Sequence, residues 1–347
     1  MSTLGRLRAH AISHSLFPQT TLSAAFRRLG FVQADPIRSP ARAQDLILRH
    51  RVRGYRAGEL ERRYPELEVE EDVLYAYGFL PRDVWHLVHP RKLRAMSTFE
   101  RRVLSAVHEA GVVHPRDLDE RFGRRRVINA WSGYSQATTR ALEFLRHRGR
   151  VRVARRENGI RLYAPVLSLA DPLPAAERLT QLILRIADVL APIPEKTFHA
   201  QTASYRRMGS PRAVISELLK TGELETERID GVTYVWPHGK TPIREAPRRV
   251  RFLAPFDPVV WDRRRFEHLW GWPYRFEAYT PPAKRLRGYY AMPLLWRDAI
   301  VGWANAGVEG ARLNVELGFV NQRPRDADFR SELDVEIDRL KTFLRLE

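Results

Sequence analysis

The chain has no cysteine among its 347 residues. That absence excludes disulfide staples, thiolate catalysis, iron–sulfur ligation and cysteine-based zinc sites. Lysine is scarce too: six lysines stand among 59 basic residues, and arginine supplies the rest. Guanidinium forks match phosphates and base edges better than ammonium groups do, although a GC-rich genome would also enrich arginine. No apolar run reaches the roughly 18 residues of a transmembrane helix, so no membrane partner is expected. The opening segment, MSTLGRLRAHAISHSL, has no apolar signal core or cleavage site, and a cytoplasmic location is expected. The eleven histidines are scattered and none forms HExxH. His86 and His89, beside Pro90, read as surface residues, and neither a metal nor a cofactor is expected.

Acidic residues are also short, 41 against 59 basic, which leaves a net charge of +18. A surplus of that size points to a polyanionic partner, nucleic acid before anionic membrane. Apolar residues make up 44% of the chain, enough for real cores. The length suits two to three domains.

Periodicity outlines the elements. Residues 2–16 read as a basic helix, and a second, 22–29, is capped by Thr21 and ends at Gly30. Phe31-Val32 favours strand, and Pro36 pushes Asp35 into extended backbone. Residues 39–50 suggest a helix with Ser39 as cap and Pro40 at its first position. The stretch 56–95 is rich in arginine and aromatics and reads as helical or irregular. From 98 to 165 the order is helix (99–110), short helix (115–122), linker (124–134), long helix (135–148) and a hairpin turning at Asn158-Gly159. That is the plan of a winged helix-turn-helix. It recurs at 176–236, with helices 176–190, 194–208 and 211–220 and a hairpin at Asp230-Gly231. After a linker, 237–249, strands are expected at 251–253, 274–279, 287–292, 299–305 and 311–317, then a helix at 331–346. The expected fold class is α+β: tandem winged helix-turn-helix modules with a C-terminal β-rich, barrel-like domain. The expected units are 1–97, 98–170, 171–240 and 250–347.

The segment Leu253-Ala254-Pro255-Phe256-Asp257-Pro258-Val259-Val260-Trp261-Asp262-Arg263, with Tyr279-Thr280-Pro281-Pro282-Ala283-Lys284-Arg285 and Gly288-Tyr289-Tyr290, resembles the crosslink-repair DNA glycosylases, the YcaQ/AlkZ-like winged-helix proteins. The resemblance spans nearly the whole chain, and these C-terminal motifs look architectural. The family's chemistry lies in an N-terminal Gln-x-Gln or Gln-x-Asp signature, read here as Gln33-Ala34-Asp35. The resemblance implies a monofunctional N-glycosylase acting on bulky alkylated or interstrand-crosslinked bases in duplex DNA. It also implies three tandem winged helices and a β domain around a concave DNA channel. A monomer is expected.

In extended backbone, residues two apart face one side, which would bring Gln33 and Asp35 together. A carboxylate beside the sugar's anomeric carbon stabilises an oxocarbenium-like transition state and can align or deprotonate water. A neutral amide can hold that water or a sugar or phosphate oxygen. An alkylated purine is already a cationic leaving group, so no strong general acid is required. The same two residues also fit a plainer reading, a cap of helix 39–50 or an Asx turn before Pro36. Candidate DNA contacts are Arg38, Arg42 and Arg49 near the motif, and Gln136, Thr139 and Arg140 at the start of the long helix. Arg155, Arg156 and Arg161 on the wing and Arg212 in the third module complete the set. Of the eight tryptophans, Trp131 is the candidate for base stacking. The competing function is a non-enzymatic winged-helix DNA-binding protein such as a transcription regulator, for which no effector domain or dimerisation helix is evident.

Overall fold

The computed structural model describes residues 3–128, 133–167, 172–239 and 247–346. Trp131 and residues 240–246 of the expected linker lie outside them. The N-terminal part contains α1 (Thr3–Ser15), α2 (Leu22–Leu29), β1 (Val32–Gln33), α3 (Ala43–Leu48), α4 (Glu59–Arg63), β2 (Val69–Val73), β3 (Tyr77–Pro81) and α5 (Arg82–Val88). Thr21 caps α2 as expected. Ser39 does not cap α3. Its N–H donates to the Ala41 carbonyl in a turn, and the N-cap position falls to Arg42. The 56–95 stretch holds a hairpin that its sequence hides, because β2 is Val-Glu-Glu-Asp-Val and its three acids are buried.

The next part runs α6 (Thr98–Ala110), α7 (Pro115–Phe122), β4 (Arg126–Ile128), β5 (Tyr134–Gln136), α8 (Ala137–His147), β6 (Val151–Glu157) and β7 (Ile160–Pro165). Ser97 and Glu100 form a capping box at α6, satisfying two of the N–H groups that a helix start leaves unpaired. The expected linker contains β4, which pairs with β5, so α8 starts later than its apolar period suggests. The β6–β7 turn places Asn158 at φ 51° and Gly159 at φ 82°, the two left-handed positions a tight hairpin needs. A similar order follows: α9 (Ala175–Val189), β8 (Ile193–Pro194), α10 (Glu195–Thr202), α11 (Pro211–Lys220), β9 (Leu224–Ile229) and β10 (Val232–Pro237). Here the sheet order is β8-β10-β9.

The C-terminal part holds β11 (Val250–Phe252), α12 (Pro258–Trp261), α13 (Arg263–Trp270), β12 (Met292–Trp296), β13 (Ala299–Glu309), β14 (Arg312–Phe319) and α14 (Ala327–Leu344). Its antiparallel sheet, β11-β12-β13-β14, is open at both ends of that order, so it is not a closed barrel. The strand expected at 274–279 does not form, and the one expected at 287–292 begins only at Met292. The segment before β12 is a loop packed on the sheet, and its aromatic spacing reflects side-chain docking rather than pleat. Tyr274 donates its hydroxyl proton to the Ala291 carbonyl at 2.6 Å, and Glu277 Oε2 accepts the N–H groups of Leu286 and Arg287 at 2.9 and 2.8 Å.

The parts share their cores. Ile12 of α1 and Leu16 just after it are buried with Leu253, Val260 and Phe266. Phe31, Leu80 and Val84 pack with Leu182, Ile186 and Phe198 of the third part. At roughly 25 cal/mol per Å² of apolar surface buried, such shared packing resists separation of the parts. Among the described residues, no helix is long and apolar enough to cross a membrane.

Candidate active site

Strand β1 places the motif. It pairs antiparallel with β3, with Gln33 opposite Gly78. A Cβ at Gly78 would sit 2.3 Å from the Val32 carbonyl oxygen and 2.6 Å from Phe31 Cζ, so only glycine lets β1 approach. The ladder extends one residue through the Ala34 N–H, which donates to the Tyr77 carbonyl at 3.0 Å. The chain leaves the sheet at Asp35. Its N–H points to Gln44 Oε1 at 3.4 Å, and its Oδ1 accepts the Ile37 N–H at 2.9 Å. The Asx turn of the plainer reading is therefore present, while the helix cap is not, since α3 begins at Ala43.

The turn engages one carboxylate oxygen. Asp35 is half-buried and, among the described residues, makes no ion pair. Burial raises its pKa, and the Ile37 N–H opposes the rise. Gln33 Oε1 is buried and has no hydrogen-bond donor among the described residues. An unsatisfied buried carbonyl costs about 1–3 kcal/mol, so it favours any donor brought to it. Tyr290 adds a third polar group from the C-terminal loop. Its hydroxyl is buried with no hydrogen-bond partner among the described residues, and burial followed by the Asp35 charge pushes its pKa well up. The Tyr290 ring stands edge-on to Phe276, with centroids 5.3 Å apart, and Phe276 packs against Phe256. The same loop presents Tyr279, Leu286 and Tyr289 to solvent. Sequence reasoning misses Gln44 and Tyr290. Tyr290 stands in a recognisable motif that looks architectural, whereas Gln44 leaves no signal. Beyond Gln44 lies a polar recess of about 10 Å³ lined by Arg42, Glu61, Glu71 and Arg156. That is room for about one water, so the recess is no substrate site.

The candidate DNA contacts divide by where their charge goes. Arg38, Arg140 and Arg212 are exposed, and Arg140 also donates to the Ile128 carbonyl at 2.6 Å. Thr139 is half-buried on the first turn of α8, and Gln136 is its N-cap residue, with a buried Oε1 that has no partner among the described residues. Arg155 pairs with Glu157 at 2.8 Å on the wing. Arg42 binds Glu61 at 2.6 Å, with the wing tip at Gly159 close to its guanidinium.

Three candidates turn inward, which corrects the expectation that they face DNA. Arg49 is buried, donating to Glu336 at 2.5 Å and to the Phe252 carbonyl at 3.2 Å, and so ties α3 to α14 and the C-terminal sheet. Arg156 and Arg161 converge on Glu71 at 2.5 and 3.2 Å. Burial alone would raise the Glu71 carboxyl, but Arg156, Arg161 and the Tyr77 hydroxyl more than offset it, and its pKa is lowered. The wing is thus fastened to β2 instead of reaching outward.

Residues next to Glu71 repeat the pattern. Glu70 takes Arg152 at 2.9 Å and Arg82 at 3.3 Å. Asp72, fully buried, accepts from His89 Nε2 at 2.6 Å, Arg91 at 3.0 Å, Trp85 Nε1 at 3.1 Å and Arg146 at 3.3 Å. His89, expected at the surface, is buried in this cluster. Among the described residues, no group of three or more histidines and carboxylates is placed to hold a metal ion.

A family model described as DNA glycosylase AlkZ-like matches residues 26–343. Among solved structures, the chain is similar to the Streptomyces sahachiroi DNA glycosylase AlkZ. The TM-score is 0.65 with 14% sequence identity, over 99% of this chain and 96% of that one. At that identity the structural likeness speaks for the fold.

Proposed function

The chain belongs to the AlkZ-like DNA glycosylase family, and from that premise we propose that it is a monofunctional glycosylase releasing bulky alkylated or interstrand-crosslinked bases from duplex DNA. The observation that carries the mechanism is the Asp35 carboxylate, half-buried, with a raised pKa and only one oxygen engaged in the Asx turn. As the bond from the anomeric carbon to the base nitrogen breaks, its electron pair leaves with the base. An alkylated purine cation becomes neutral in doing so and needs no strong acid. Asp35 stabilises the positive charge left on the sugar and orients or deprotonates the water whose oxygen bonds to the anomeric carbon. Gln33, whose Oε1 lacks a donor among the described residues, accepts a hydrogen bond from that water or from a sugar hydroxyl at a strand end.

Usual glycosylases flip a base into a close-fitting pocket, which a bulky or crosslinked adduct does not enter readily. The exposed Tyr279, Leu286 and Tyr289 supply apolar surface on the loop that carries Tyr290, which suits a lesion held in an open groove. We read the second and third parts as winged helices, with Arg38, Arg140 and Arg212 on phosphates and the protein acting as a monomer. The test is duplex DNA carrying one 7-alkylguanine, incubated with enzyme and then treated with alkali. Wild type is expected to yield strand breaks at the lesion only after alkali. Strand cleavage without alkali would contradict the monofunctional assignment.

A further inference from the structure

Away from Asp35, a cleft of about 480 Å³ opens where the end of the β2–β3 hairpin, the segment after α5, the end of α8 and the segment after α10 meet. That volume lies in the range of small-molecule and cofactor sites, about 300–1,000 Å³. Its lining contains no aspartate or glutamate. Lys92, Arg206 and Arg207 are exposed at its rim, and among the described residues none of them has a carboxylate within ion-pairing range. Arg207 donates to the Lys92 carbonyl at 3.2 Å, which draws two of the three cations together. Arg91 also lines the cleft, but its charge is spent on Asp72 behind the wall. The rest of the lining is mostly apolar: Leu74, Val88, Leu93 and Met208 contribute beside His147 and Ser204, and the Tyr205 hydroxyl is tied off on the Leu74 carbonyl at 2.8 Å.

A cationic rim over an apolar floor matches a nucleotide, with phosphate outside and base or sugar inside. A stacked duplex, whose major groove alone is roughly 12 Å wide, is far too thick to enter. We propose that this cleft is a second nucleic-acid subsite that takes one phosphorylated nucleotide of an unpaired strand, with the phosphate on Lys92, Arg206 and Arg207. The subsite does not depend on the chemistry at Asp35. It would let the protein hold DNA next to a lesion where pairing is already lost.

The test uses the full chain and a fluorescein-labelled, 5′-phosphorylated trithymidylate, followed by anisotropy. Wild type is expected to bind. Arg206→Ala/Arg207→Ala is expected to weaken binding tenfold or more. Ala203→Trp, at an exposed position lining the cleft, keeps every charge, fills the space and is expected to weaken binding comparably. Competition by thymidine monophosphate as strongly as by the trinucleotide identifies a free-nucleotide site, and weaker competition identifies a strand site. Both support the cleft. Three results overturn the proposal: no trinucleotide binding by wild type, unchanged binding in both variants, or loss in the double alanine variant alone, which would mean diffuse surface charge. Base release from 7-methylguanine duplex, measured at saturating DNA, is expected to stay within about twofold of wild type in both variants. A protein that releases no base at all would leave the cleft assignment standing and sink the Asp35 assignment.

Discussion

Asp35 carries opposite expectations for activity and stability. Its pKa is raised on folding, so at neutral pH the ionised side chain is worse off folded than unfolded. That penalty is fully present above the folded pKa, and it is gone once pH has fallen below the ordinary aspartate value, about 3.9. Asp35→Asn removes the charge and keeps an oxygen for the Ile37 N–H. Its melting temperature is expected to equal or exceed that of wild type in a thermal scan, while base release falls by about 10²–10⁴-fold. In the proposed role Asp35 acts ionised, so the acid limb of the pH–rate profile is expected above about 3.9, and a limb at or below that value would remove Asp35 from the rate. The Gln-x-Asp signature is legible in the sequence because a short motif sits at a defined place after Gly30-Phe31-Val32. Its surroundings are not, since Gln44 meets the Asp35 N–H from α3 and Tyr290 feels the Asp35 charge from a loop near the other end of the chain, separations that no local pattern encodes.

Among the elements, helices and hairpins with strong caps and turns are legible. The hairpins at Asn158-Gly159 and Asp230-Gly231 and helix Pro211–Lys220 stand where their turn and cap residues put them. Pattern fails where tertiary pairing overrides it. Strand β2 escapes notice because three consecutive acids look like a solvated segment, and the arginines of α8, β6 and β7, with Arg82, His89 and Arg91, make them tolerable inside. Asp72 is the centre of this anchor. Burial would raise its pKa, but the hydrogen bond from His89 and the charges of Arg91 and Arg146 lower it strongly. Its contribution is therefore present above the ordinary aspartate pKa and lost as pH falls through the lowered folded value. His89 is held neutral, because burial lowers its pKa, so the unfolded chain gains a proton first as pH falls below about 6.5. Both shifts mean that acid weakens the anchor. Asp72→Ala leaves Arg91 without a carboxylate and Arg146 with Glu143 alone, and is expected to cost about 3–5 kcal/mol in denaturant unfolding. A loss below about 1 kcal/mol, the range of an exposed pair, would show that the cluster is not an anchor.

Across the fold as a unit, the charge surplus announces a polyanionic partner without revealing which arginines face it. Arg49, Arg156 and Arg161 serve internal carboxylates, whereas Arg38, Arg140 and Arg212 remain outside. Two kinds of variant separate accordingly. Arg140→Ala or Arg212→Ala is expected to lower duplex affinity and flatten the slope of log K against log salt by about 1 each. Arg49→Ala is expected to leave that slope unchanged and to destabilise the fold by about 3–5 kcal/mol, because Glu336 is left buried without its closest cation. Binding isotherms at several salt concentrations, paired with unfolding curves, distinguish the two. Assignment of the hydrolysis to Asp35 stands or falls on single-turnover release of 7-methylguanine from duplex DNA by wild type and by Asp35→Asn. Release by wild type is expected, with a loss of at least about a hundredfold in a variant that melts no lower and binds the duplex as well. Equal release by the two proteins would take the chemistry away from Asp35.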